Sequence, residues 1–154
     1  MSDQALERLE AFIGSWDIHA HFPPDHPATD LRDFKMGGRA VFEWILDGKF
    51  LVERSEVEHA DAPNSYVIIA PNHNGTYTQH YFDSRGVVRT YEMTFDGTLW
   101  TLTRDKPDFS PLEFSQRWTA SVEDGGKTIR GRWEICHDGT TWEHDFEMTY
   151  SKRD

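Results

Sequence analysis

Asn74-Gly-Thr-Tyr-Thr-Gln-His-Tyr-Phe-Asp-Ser-Arg-Gly-Val-Val-Arg-Thr-Tyr-Glu-Met-Thr-Phe-Asp-Gly97 is the stretch that decides the fold. Glycines recur at 75, 86 and 97, and X-Gly pairs of this kind supply the positive φ angles that tight hairpins need. The runs between them alternate and are rich in Tyr, Thr, Val and Phe, which predicts up-and-down antiparallel strands. Asp47-Gly48, Asp124-Gly125-Gly126 and Asp138-Gly139 extend the same punctuation in both directions. The spacing predicts ten strands, at 15–22, 37–45, 50–58, 65–72, 76–83, 87–95, 99–104, 113–121, 128–137 and 141–151. Loops are expected at 23–35, with Pro23, Pro24 and Pro27, and at 105–112, with Pro107 and Pro111.

Ahead of the strands lies one helical pattern. Leu6, Leu9, Phe12 and Ile13 fall at helical spacing, with Ser2 or Asp3 as N-cap and Gly14 as a stop. One helix followed by ten meandering strands predicts an all-β, antiparallel up-and-down barrel. Closure removes sheet edges, and eight to ten strands enclose room for one small ligand. A jelly roll would need longer crossovers.

The length of 154 residues fits a single domain over 1–154. Sixteen Lys and Arg against 27 Asp and Glu give a net charge of −11. That balance, with no basic run, argues against nucleic acid and against an anionic membrane surface. The longest apolar run, Tyr66 to Ala70, is far below a spanning length of about 20 residues. No signal peptide is visible, and the lone Cys136 has no internal partner, so a cytoplasmic location is expected. Mean hydropathy is −0.70, yet six Trp, five Tyr and ten Phe are too many for a disordered chain.

Strand parity sorts the interior. In the last strand Trp142, His144, Phe146, Met148 and Tyr150 share one face, and Thr141, Glu143, Asp145, Glu147 and Thr149 the other. The first set is apolar and is expected inside, with His144 as its one imidazole. In the sixth strand Arg89 shares the inward face with Val87, Tyr91, Met93 and Phe95, so it needs a carboxylate, carbonyls or a ligand anion. In the eighth, Phe114, Gln116, Trp118 and Ala120 face inward. Parity in the fifth and ninth strands is ambiguous. In the third it leaves open whether Glu53 or Arg54 reaches the lumen.

Leu9-Glu-Ala-Phe-Ile-Gly-Ser-Trp16 resembles the Gly-x-Trp signature that opens the first strand of lipocalin-like (calycin) barrels. Tyr81 to Tyr91, Phe114 to Trp118, Gly131 to Glu134 and Trp142 to Tyr150 extend the likeness to a bacterial branch of that superfamily over essentially the whole chain. The superfamily includes nitrobindins, ten-stranded barrels that hold haem through a histidine near the C-terminus. The position of His144 is similar, so the resemblance implies haem as a cofactor and His144 as its axial ligand.

Three functions follow as alternatives. The first is a binding protein that encloses a small hydrophobic or aromatic molecule, with Trp118, Trp142, Tyr91 and Phe146 as walls and Arg89, His144 and Gln116 giving orientation. The second is an enzyme or haem protein that uses His144. The third is a filled barrel acting through its surface or as a homodimer. His19-x-His21 lies on the face opposite Trp16 and Ile18, so a surface position rather than a metal site is expected. No Gly-rich phosphate loop, serine elbow or zinc spacing is present.

Overall fold

A computed structural model of the chain describes residues 3–21, 36–57 and 63–153. A seven-residue helix, α1 (Asp3–Leu9), tightens into a 3-10 turn at Glu10–Phe12. The strands are β1 (Gly14–His21), β2 (Met36–Ile45), β3 (Phe50–Val57), β4 (Ser65–Pro71) and β5 (Tyr77–Asp83). They continue as β6 (Val88–Phe95), β7 (Leu99–Arg104), β8 (Ser115–Glu123), β9 (Thr128–Cys136) and β10 (Glu143–Lys152). Each pairs antiparallel with its sequence neighbour, and β1 pairs with β10 to close the barrel. The predicted architecture is thus the observed one. Residue 22 of the first predicted strand, the 23–35 loop, residue 58 and Ser2 as a cap lie outside the described residues. Among the described residues no helix is long and apolar enough to cross a membrane.

Local chemistry sets the strand ends. Gly86 (φ +85°) and Gly97 (φ +102°) sit where the hairpins require a left-handed residue. β10 starts two residues later than predicted because the Asp138 carboxylate accepts the backbone N–H groups of Thr140 and Thr141, at 2.8 and 2.7 Å, and holds them in a turn.

An isolated helix of α1's length is unstable, and its packing supplies what its hydrogen bonds do not. Leu9 and Phe12 are fully buried in the end of the barrel where β1 begins. The Phe12 ring meets those of Phe42, Phe95 and Trp100 at 5.3, 4.7 and 4.9 Å. The Trp16 indole N–H donates to the Phe12 carbonyl at 2.8 Å, and the Tyr77 hydroxyl donates to the Ala5 carbonyl at 2.6 Å. This end is plugged. At the opposite end, the mouth, the inward-facing Tyr81, Trp133 and Phe146 are only partly buried.

Gly131 is where β9 lets the core in. A Cβ there would lie 2.4 Å from two atoms of the Trp118 ring and 2.7 Å from the Ala120 Cβ. Gly131→Ala is therefore expected to destabilise the fold by about 1–3 kcal/mol through overpacking. The urea midpoint measures this, and an unchanged midpoint would mean that the Trp118 ring does not rest on Gly131.

Candidate ligand site

The mouth half of the lumen is built by alternate residues of β3, β5, β6, β8, β9 and β10. Pairing of Trp118 with Trp133, and of Gln116 with Ile135, resolves the ninth strand: Ile129, Gly131, Trp133 and Ile135 face in. On β5 the inward set is Tyr77, Gln79 and Tyr81, while His80 faces out opposite Thr90. On β3, Leu51, Glu53 and Ser55 face in and Arg54 is exposed.

Five of the sequence-predicted site residues, Arg89, Tyr91, Gln116, Trp118 and Phe146, lie on inward faces. The Tyr91 hydroxyl donates to the Gln116 Oε1 at 3.0 Å, with both groups buried. The Trp133 ring stands between Tyr91 (5.7 Å) and Trp118 (5.3 Å), making one aromatic wall. Near the mouth the Arg89 guanidinium lies 5.6 Å from the Phe114 ring centroid, and Phe114 meets His137 at 5.7 Å.

Trp142 and His144 are not inside. β10 pairs with β9 through two registers: His144 opposes Glu134 while Phe146 opposes Trp133, leaving Asp145 as an extra residue. Such a bulge reverses the face of everything on one side of it. Phe146, Met148 and Tyr150 keep the inward face, and Trp142 and His144 turn to the outer one. There the Trp142 ring lies 4.2 Å from the Arg117 guanidinium, which pairs with Glu134 at 2.8 Å. His144 is exposed beside that carboxylate.

The outward turn also decides the fit of haem. An axial histidine must face the lumen, and His19, His21, His80 and His144 all lie on outer faces. His144, the axial ligand that the resemblance implies, therefore does not fit that role. His19 and His21 are exposed, as their parity predicts.

Two inward charged residues emerge with the structure. Glu53 is 5% exposed, and its Oε2 accepts the Ser55 hydroxyl at 3.0 Å and the Tyr150 hydroxyl at 3.2 Å. Among the described residues no cation lies within ion-pair distance of it. Burial pushes its pKa up to about 7 despite the two hydroxyls. The same burial, with Glu53 beside it, raises Tyr150 well above the ordinary phenol range. Arg104 ends the inward face of β7 after Trp100 and Leu102. Its guanidinium forks onto Asp108 at 3.0 and 3.1 Å and also reaches the Ser110 and Pro111 carbonyls. Asp108 further accepts the Thr90 and Ser110 N–H groups, and these partners hold its carboxyl well below the usual range. Parity along β7 carries the signal for Arg104.

No family model matches the chain, and no curated protein matches it. Among solved structures, the crystal structure of Rv2717c from M. tuberculosis is similar over 100% of both chains, at 14% identity and a TM-score of 0.70. A de novo designed fluorescence-activating β-barrel aligns with 99% of this chain and 100% of its own, at 11% identity and a TM-score of 0.47. Likeness at 14% identity establishes a shared fold and leaves the ligand open.

Glu53 makes stability depend on pH. Its folded value of about 7 lies above its ordinary 4.5, so its proton stabilises the fold fully below pH 4.5. That contribution, about 3 kcal/mol, is lost as pH rises through about 7. Urea midpoints should fall between pH 5 and 8, and Glu53→Gln should flatten the fall. Equal slopes in the two proteins would remove Glu53 as its source.

Proposed function

We propose that the protein binds a small apolar or aromatic molecule in the mouth half of the barrel. Tyr91, Trp133 and Phe146 form one wall and Glu53 stands on another, with Arg89 near the rim to meet an acidic or carbonyl group. A pocket of apolar walls with a few orienting polar atoms is the usual form of a small-molecule site. The observation that carries the reading is Glu53: a buried carboxyl held only by hydroxyls among the described residues, on the inward face of a barrel rich in buried aromatic rings. Aliphatic packing would be more stable there, so stability does not account for the carboxyl, and a ligand to meet it does. The lipocalin-like resemblance supports the same use of the lumen, and the net charge of −11 keeps nucleic acid outside the proposal.

Titration with 1-anilinonaphthalene-8-sulfonate, an anionic aromatic fluorophore, tests it. Saturable, blue-shifted emission is expected, weakened roughly tenfold by Arg89→Ala through loss of a charged hydrogen bond. Absence of saturable binding, or binding that Arg89→Ala and Trp133→Ala both leave unchanged, would overturn the reading.

A further inference from the structure

The β3–β5 wall of the lumen carries acceptors in excess of donors. Gln79 on β5 is 4% exposed, and its Oε1 has no hydrogen-bond partner among the described residues. Glu53 on β3 receives both of its hydroxyl hydrogen bonds at one oxygen, Oε2. β4 alone separates the two: Val67 pairs with Glu53 and with Tyr81, while Ile69 pairs with Gln79. Both acceptors thus face inward on strands flanking β4, in rows two residues apart along it. A buried acceptor without a donor costs about 1–3 kcal/mol, and more where it is a carboxylate. Other carboxylates near the mouth are satisfied, Asp83 by Tyr81 and Arg85, and Asp108 by Arg104. The indole N–H groups of Trp100 and Trp118, without a partner among the described residues, belong to the aromatic stack over Phe12, where the two rings meet at 5.5 Å.

Arg89 and Glu53 share one cross-strand row, through Tyr81 and Val67. Three strand spacings separate them, about 14 Å along the sheet. Their side chains shorten that span from both ends.

We propose that Glu53 and Gln79 form the inner subsite of the lumen and select an aromatic ligand that carries a hydrogen-bond donor, a phenolic hydroxyl or an ammonium group, on its inner end. The proposal rests on the reading that the lumen binds a small aromatic molecule. It adds which chemistry the ligand presents and at which depth.

Isothermal titration with phenylacetate, 4-hydroxyphenylacetate and 4-(aminomethyl)phenylacetate tests it, because the three share ring and carboxylate and differ only in the para donor. At pH 8, where Glu53 is ionised, both donor-bearing probes should bind roughly tenfold tighter than phenylacetate, the scale of one charge-assisted hydrogen bond. Glu53→Gln, which keeps an acceptor without the charge, should remove the advantage of the aminomethyl probe. Gln79→Leu, which removes the oxygen at no change of charge, should shrink the advantage of both, with near-ultraviolet circular dichroism confirming the fold of each variant. Equal affinities for all three probes, or a rank order that neither variant alters, would overturn the proposal while leaving the pocket standing. If the fluorophore binds and none of the three does, the ligand class is wrong. If the fluorophore fails as well, the pocket reading falls first.

Discussion

Everything inside this protein depends on the pairing of its first strand with its last. Ile18 opposite Tyr150 and Ala20 opposite Met148 join β1 to β10 and abolish both edges of the sheet. Only after that closure does the sheet have an inside, and only then must each strand present one face to it. The seam is sealed from within, where Trp16 meets the Tyr150 ring edge-on at 6.3 Å. Tyr150 then sends its hydroxyl to Glu53. The buried carboxyl is thus held by a residue that the closing strand itself delivers.

Much of the fold was legible because it rests on local signals. The X-Gly pairs mark turns that strand twist requires, and alternation in β1, β6 and β8 reports a buried face directly. In β10 the same reasoning misplaces Trp142 and His144, because a bulge leaves no trace in a pattern of apolar and polar residues. Alternation across Asp145 reads as one continuous face, while the backbone inserts a residue there. Trp142 does not lose its contacts by turning outward, since its ring covers the Arg117 guanidinium. An aromatic residue that finds a cation is content on either face, so its hydrophobicity could not choose the side. In β3 the obstacle is Glu53 itself: charged residues are ordinarily assigned to solvent, and here the carboxyl occupies an inward position between Leu51 and Ser55.

Two inward charged residues show opposite solutions to burial. Arg104 has a full set of partners: both arms of its fork meet Asp108, and backbone carbonyls take further hydrogens. Asp108 is fastened in turn to Thr90 and Ser110, so the pair ties the β7–β8 connection to the barrel wall. That arrangement is structural, because its charges are spent on one another and on the backbone. Glu53 has two neutral donors and no cation among the described residues, which is the weaker and more costly arrangement. Evolution toward stability alone would replace it with an aliphatic residue.

Depth is what the remaining geometry controls. The floor is fixed by Phe12, Trp100 and Trp118, whose rings interlock and whose position depends on α1 and on the absence of a Cβ at Gly131. Nothing can enter below Gln116 without displacing that stack, and displacing it would undo the plug. A ligand of the proposed site would therefore gain affinity by matching the polar groups spaced between floor and rim. Tyr91 and Gln116 satisfy one another on one wall, whereas on the other the Gln79 Oε1 has no partner among the described residues and Glu53 is held by hydroxyls alone. In the proposed site that asymmetry would set orientation, with a ring against Trp133 turning its polar edge toward β3 and β5.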